Sequence, residues 1–84
     1  MAFTFDPEKS ARNVAGRGLS FVLAKRLEWE TALIVEDTRR DYGETRLQVL
    51  ALMEGWLYAA VVTPRGEDLR VISFRKANRR EVKR

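Results

Sequence analysis

The residues best suited to chemistry are the basic side chains at the C-terminal end of the chain. Residues 70–84 contain seven Lys or Arg and a single acid, Glu81. The preceding 69 residues contain nine basic and eleven acidic residues, so the whole positive excess lies at this end. Clustered cations attract a polyanion, and the planar arginine fork can hold two phosphate oxygens at once. The pattern favours nucleic acid as the partner, and the equal alternative is a solvated, frayed tail.

The side chains that the chain lacks restrict its chemistry further. It contains no cysteine and no histidine. Disulfides, thiolate catalysis, Ser-His and Cys-His nucleophiles and the commonest transition-metal ligands are therefore excluded, and we expect neither a metal nor a cofactor. The longest apolar stretch, Trp56 to Val62, is far shorter than the ~20 residues that cross a bilayer. Because the N-terminus also lacks the basic-then-apolar pattern of a signal sequence, we expect a cytoplasmic protein without a membrane partner.

The elements that must position these cations begin with a helical N-terminal half. A chain of 84 residues predicts one domain, residues 1–84, whose modest core makes oligomerisation or a tight complex plausible. A short extended element at 2–5 precedes an Asp-Pro-Glu start that predicts a helix at 7–15. The glycines on either side of Arg17 end that helix. Ser20 then caps a second short helix that reaches about Leu27.

The C-terminal half reads as strands joined by short turns. Strands are predicted at 31–36, 45–52, 56–63 and 69–75. Asn78 and Glu81 match a capping box, which predicts a short final helix. The fold class is therefore α+β: an N-terminal extended element, two short helices, a four-stranded mostly antiparallel sheet and a short C-terminal helix. The helices cover one face of the sheet, and the open face carries Arg46.

Three blocks of residues occur together and span nearly the whole chain. They are Phe3-Thr4-Phe5-Asp6-Pro7-Glu8-Lys9 with Asn13 and Gly18-Leu19-Ser20-Phe21, then Asp41-Tyr42-Gly43-Glu44-Thr45-Arg46, then residues 70–81. In this order and spacing the chain resembles the BrnT toxin family. The resemblance implies a RelE-like fold and a ribonuclease that cleaves RNA to slow translation. It also implies neutralisation by a BrnA-like antitoxin with a ribbon-helix-helix DNA-binding domain. The expected assembly is a homodimer of this chain or a hetero-oligomer of toxin and antitoxin.

The chain departs from the family pattern at two places. Relatives commonly carry Lys-His-Gly after the first helix, where this chain has Gly16-Arg17-Gly18. Arg17 cannot replace a histidine base because a guanidinium stays protonated, although it can bind phosphate. Relatives also usually run several residues past the position of Arg84, often through a tyrosine. Either the final helix is abbreviated, or the chain is cut short.

Metal-free cleavage of RNA uses the ribose 2'-hydroxyl as nucleophile, which must lose a proton while charge develops on the phosphate oxygens. We assign stabilisation of that charge to three arginines: Arg46, Arg75 and Arg79. We assign binding of the RNA backbone to four further cations: Arg17, Lys76, Arg80 and Lys83. The candidate bases are Glu44 and Tyr42.

Each assignment has a structural alternative. Glu44 and Arg46 can form a surface ion pair worth about 0 to 1 kcal/mol. The aromatic residues Trp29, Trp56 and Tyr58 can stack RNA bases, but core or partner-interface roles are favoured by their aliphatic neighbours. The whole basic face can also serve a non-catalytic module that binds RNA or an acidic protein. Because histidine is absent, this second function stays open.

Overall fold

A computed structural model describes residues 2–83, so Arg84, the last member of the basic run, lies outside the described residues. Two helices and five strands make up the regular structure, together with 3₁₀ helices at Phe21–Arg26 and Trp29–Thr31. The strands are β1 (Phe3–Phe5), β2 (Leu33–Glu36), β3 (Leu47–Met53), β4 (Trp56–Arg65) and β5 (Asp68–Lys76). The helices are α1 (Pro7–Arg17) and α2 (Arg79–Val82). The predicted order of elements is confirmed.

The sheet has five strands in the order β1-β5-β4-β3-β2. The antiparallel meander from β2 to β5 is the predicted one, and its register pairs Leu50 with Ala59 and Ala59 with Arg75. The prediction of four strands was wrong because β1 pairs parallel with β5 at Leu69 to Val71, which makes the sheet mixed. A three-residue segment that pairs with residues more than sixty positions away leaves no local signal.

Strand β3 shows why one face of the sheet is buried. Its side chains alternate, so Val49, Ala51 and Met53 are buried while Leu52 is exposed. The tight Glu54-Gly55 turn that follows has positive φ at both residues, the backbone of a type I' hairpin turn. This turn geometry lets β4 pair directly with β3, so that Met53 lies opposite Trp56.

The hydrophobic core lies between the sheet and the segment after α1. Its buried members are Leu19, Phe21, Ala24, Leu27, Val49, Ala51, Met53, Ala60, Val62, Val71 and Phe74. The segment from Leu19 to Leu27 therefore supplies the cover, mainly as a 3₁₀ helix capped by the predicted Ser20. By contrast, α1 buries only the side chain of Ser10. One sheet face is covered as expected, and α1 contributes polar contacts instead of apolar area.

Helix α1 starts at the predicted Asp6 cap, whose carboxylate accepts from the N–H of Glu8 at 2.9 Å. It continues two residues beyond the predicted end, because Gly18 and not Gly16 adopts the left-handed conformation (φ 68) that closes it. Asn13 then anchors the helix, since its Nδ2 donates to the carbonyls of Leu19 (2.7 Å) and Phe74 (2.8 Å). Arg17 consequently lies in the last helical turn, beside the C-terminal end of β5.

Candidate nucleic-acid interface

A cleft opens where the C-terminal end of α1 meets the junction of β5 and α2. Its volume is about 630 Å³. The lining residues are Arg17, Gly18, Leu19, Tyr58, Arg75, Lys76 and Asn78. Three of the cations predicted to contact RNA therefore line one cleft, although Arg17 is 58 positions before Arg75 in the chain. Arg75 and Lys76 are successive residues of β5, so they approach the cleft from opposite faces of the sheet. We call this site the basic cleft.

Arg75 is held in place by a carboxylate. Its Nη1 and Nη2 donate to Oε1 and Oε2 of Glu81 at 2.8 and 2.9 Å, and Nη1 also donates to the Lys76 carbonyl at 3.3 Å. The hydrogen bonds to Glu81 raise the pKa of Arg75. A guanidinium has five N–H donors, and the three bonds use Nη1 twice and Nη2 once. The Nε–H and the second Nη2–H lie side by side, and within residues 2–83 they are left for a ligand.

Glu81 is a site residue whose role the sequence did not indicate. The predicted capping box is confirmed, since the Glu81 N–H donates to Asn78 at 2.9 Å and the Asn78 N–H donates to Glu81 at 2.8 Å. The same carboxylate also forms the ion pair with Arg75. The cap therefore ties the short helix α2 to the sheet and fixes the direction of the Arg75 side chain.

The remaining predicted cations of the C-terminal run lie on or next to α2. Arg79, Arg80 and Lys83 are exposed, and none of them forms an ion pair with another residue between 2 and 83. Cations that are solvated in this way can contact a passing phosphate backbone without breaking an internal pair. They extend the positive surface beyond the basic cleft.

The predicted bases lie elsewhere, in the loop between β2 and β3. The Tyr42 hydroxyl donates to Asp37 at 2.9 Å. The centroid of the Tyr42 ring lies 4.3 Å from the guanidinium carbon of Arg46. Glu44 pairs with Arg46 at 3.4 Å and with Arg65 at 3.1 Å. The register places Arg46 roughly 16 Å from Arg75 along the backbone grid of the sheet. The structure thus groups the predicted site residues in two separate clusters.

Asp37 organises this second cluster, and sequence reasoning missed it. Its buried carboxylate accepts from Arg39 Nε and Nη2, both at 2.9 Å, and from the Arg39 N–H at 3.1 Å. Together with Tyr42 this makes four hydrogen bonds to one carboxylate. The bonds from Arg39 hold the pKa of Asp37 well below its usual range, against the opposing effect of burial. The only sequence signal was an Asp two positions before an Arg in a polar loop.

A groove of about 350 Å³ crosses the open face of the sheet between the two clusters. Leu33, Leu50, Ala59 and Val61 contribute apolar surface to it, and Arg39 and Arg75 lie at its borders. Both arginines are paired with carboxylates, Arg39 with Asp37 and Arg75 with Glu81. The basic cleft instead adds Arg17 and Lys76, neither of which pairs with a carboxylate between residues 2 and 83. A phosphate is therefore better matched by the cleft than by the groove.

Comparison with known proteins supplies an independent result. Residues 5–81 match the model of a family described as "Ribonuclease toxin, BrnT, of type II toxin-antitoxin system". The chain belongs to the BrnT family. The match extends from Phe5, the last residue of β1, to Glu81, so it includes every residue of the basic cleft. No curated protein matches the chain.

Membership in the BrnT family implies an RNA substrate and an antitoxin partner. Two further observations concern the described part of this BrnT chain. No group of three or more Asp and Glu side chains within residues 2–83 is arranged to hold a metal ion. In the same range, no helix has the length and apolar character needed to span a membrane.

The Asp37 network predicts acid-sensitive stability. The folded-state pKa of Asp37 lies below the value near 3.9 of an unfolded chain, so the unfolded chain takes up a proton first as the pH falls. The stability that the carboxylate contributes is thus present above about pH 4 and is lost on acidification. We expect Asp37→Asn to be less stable than wild type at pH 7, with the difference shrinking between about pH 5 and pH 2. Urea denaturation across this range measures it.

The matched control is Asp41→Asn, which removes a negative charge from the same loop. Asp41 is exposed and accepts one hydrogen bond, from the Gly43 N–H at 2.9 Å. The Asp41→Asn substitution should therefore lower the free energy of unfolding at pH 7 by less than Asp37→Asn does. A stability difference between wild type and Asp37→Asn that stays constant down to pH 2 would contradict the assigned role.

Proposed function

We propose that this protein cleaves RNA in the basic cleft without a metal ion, using the ribose 2'-hydroxyl of the substrate as nucleophile. The observation that carries the proposal is the convergence of Arg17, Arg75 and Lys76 on one cleft in a chain of the BrnT family. Three cations from two separate elements match a phosphate diester, whose charge is delocalised over its oxygens.

The reaction is a transesterification. The 2'-oxygen forms a bond to the adjacent phosphorus while the bond from phosphorus to the 5'-oxygen breaks, which leaves a 2',3'-cyclic phosphate and a 5'-hydroxyl. Charge accumulates on the two non-bridging oxygens of the phosphorane. The Nε–H and second Nη2–H of Arg75 suit those oxygens, because Glu81 occupies the other end of the fork and fixes its orientation.

Proton transfer does not require a protein base in this scheme. Tyr42 and Glu44 are engaged with Asp37, Arg46 and Arg65 in the cluster between β2 and β3, so we leave them out of the phosphate site. Water takes the 2'-proton and supplies one to the leaving 5'-oxygen. The protein contributes mainly preorganised positive charge, which is commonly the largest catalytic effect in an enzyme.

The remaining parts of the proposal concern biology and ancestry. The antitoxin is a BrnA-like ribbon-helix-helix protein that covers the basic cleft, and cleavage in the cytoplasm slows translation and growth. We also propose that the fold is related to that of RelE-like toxins.

A non-catalytic RNA-binding module is the second candidate function. One observation favours it: the chain has no histidine, and both candidate bases lie outside the basic cleft. Such a module would use the same three cations to hold RNA and would leave it intact.

The two candidate functions predict different outcomes for purified protein incubated with single-stranded RNA in excess EDTA. We expect cleavage, with cyclic phosphate ends visible by mass spectrometry, because the mechanism needs no metal. A matched oligonucleotide with 2'-deoxyribose throughout should bind and stay intact, since it lacks the nucleophile. Cleavage only after a divalent cation is added would contradict the metal-free mechanism. RNA that binds and stays intact under both conditions would favour the binding module.

A further inference from the structure

Trp56 stands out among the aromatic side chains because it is 61% exposed. Trp29, the other tryptophan, packs its ring on Phe3 at 5.4 Å and donates from Nε1 to the Ala24 carbonyl at 3.1 Å. Tyr58 packs on the ring of Phe74 at 5.5 Å. Trp29 and Tyr58 are therefore structural at least in part, whereas most of the Trp56 ring contributes nothing to the core. Because this large apolar ring stays in water, it does not add the stabilisation that its burial would give to the folded protein.

The neighbours of Trp56 are those of the basic cleft. The Nζ of Lys76 lies 4.0 Å from the centroid of the indole ring, a cation–π contact. Trp56 and Tyr58 are two positions apart on β4 and so face the same side, and Lys76 is directly opposite Tyr58 in the register. Lys76 and Tyr58 both line the cleft. The exposed ring thus continues the wall of the cleft and shares Lys76 with it.

We propose that Trp56 and Lys76 form a subsite that stacks one unpaired nucleobase of the RNA next to the phosphate held in the basic cleft. This inference rests on the proposed function and names the part of the substrate that is recognised. Proteins that bind single-stranded nucleic acid place aromatic rings along a positively charged groove, because every base has a flat face. Bases inside a duplex are stacked on each other, so the subsite selects unpaired RNA.

The charges around Trp56 favour RNA over a protein ligand. Lys76 lies over the ring of Trp56, and Arg17 and Arg75 line the adjoining cleft. A cation beside an aromatic ring suits a base with its attached phosphate. The competing role for Trp56 is to anchor the antitoxin, and the experiment must distinguish this role from the stacking of a nucleobase.

The test measures binding of a fluorescein-labelled single-stranded 2'-O-methyl RNA, which cannot be cleaved, to the purified protein. We expect Trp56→Leu to weaken binding by about 5- to 100-fold and Trp56→Phe to retain most of the affinity, because phenylalanine keeps a flat ring. An oligonucleotide with abasic sites throughout should bind wild type and Trp56→Leu alike. Leu52→Ala, an exposed residue on the opposite face of the sheet, is the matched control and should bind like wild type.

Several outcomes would overturn the subsite. In the first, Trp56→Leu binds RNA with an affinity within twofold of wild type, and wild type cleaves RNA. That result would remove the subsite and leave the proposed function intact. Another is equal loss of affinity for the abasic oligonucleotide, which would show that no base is stacked. A third is unchanged RNA binding with loss of co-purified antitoxin, which would assign Trp56 to the protein partner. If wild type neither binds nor cleaves RNA, both the subsite and the proposed function fall.

Discussion

Replacing Arg75 with alanine lowers the rate of RNA cleavage by about 10² to 10³-fold, the effect of removing one preorganised donor to a developing negative charge. The loss corresponds to about 3 to 4 kcal/mol of transition-state stabilisation. Arg75→Lys should recover only part of the rate, because lysine keeps the charge but cannot hold two oxygens in a fixed plane. Single-turnover cleavage of a labelled oligonucleotide measures this. In cells, Arg75→Ala combined with Arg79→Ala should relieve growth inhibition.

The control for Arg75→Ala is Arg65→Ala. Arg65 also pairs with a glutamate, Glu44 at 3.1 Å, but it lies in the other cluster. Its replacement should change the rate less than twofold, since it removes a similar ion pair away from the cleft. Circular dichroism and urea denaturation check that each variant is folded, which matters because Arg75→Ala removes the ion pair between Arg75 and Glu81. A folded Arg75→Ala protein that cleaves RNA at the wild-type rate would refute the proposed phosphate site.

Replacing Phe74 with alanine produces the largest loss of stability, about 3 to 5 kcal/mol. Phe74 is fully buried and is the largest side chain in that class. Its removal leaves a cavity that the surrounding β-sheet cannot close, in addition to the lost transfer free energy. A domain of this size has a total stability of about 4 to 13 kcal/mol, so the variant should be partly unfolded at 37 °C. Equilibrium urea denaturation provides the free energy of unfolding.

Two further variants separate the cavity from other effects of the Phe74 substitution. Phe74→Leu keeps most of the volume and should cost less than Phe74→Ala. Val82→Ala removes an exposed apolar side chain and should stay within about 0.5 kcal/mol of wild type. A loss below about 1 kcal/mol in Phe74→Ala would mean that the core rearranges to fill the space.

Local signals in the sequence predicted the elements well. The caps at Asp6, Ser20 and Asn78 are all present, with the reciprocal Glu81 contact of the last. A cap involves a side chain and an N–H only two or three residues away, so nearby sequence is sufficient to specify it. The side chains of β3 likewise alternate between a buried and an open face, a period-2 pattern that is readable in the sequence. The same reasoning could not choose between Gly16 and Gly18 as the end of α1, since both glycines tolerate the left-handed backbone.

Contacts between distant segments decided the rest of the fold. The parallel pairing of β1 with β5 depends on where the chain returns after more than sixty residues, and three residues of alternating pattern do not encode that. The 3₁₀ form of the Phe21–Arg26 segment also depends on its packing over the sheet, because propensity separates 3₁₀ from α-helix poorly.

For the candidate site, the sequence by itself determined the chemistry that is possible: clustered arginines, no histidine and no cysteine, and hence charge stabilisation in place of imidazole catalysis. Only the tertiary structure decided which of these residues meet. It placed Arg17 and Arg75 along one cleft and kept Tyr42 and Glu44 in a separate cluster beside Asp37 and Arg46. It also gave Glu81 a second role as the carboxylate that orients Arg75. The physical reason is that side-chain chemistry belongs to each residue alone, whereas proximity follows from strand register and from the hydrogen bond by which Asn13 ties α1 to β5.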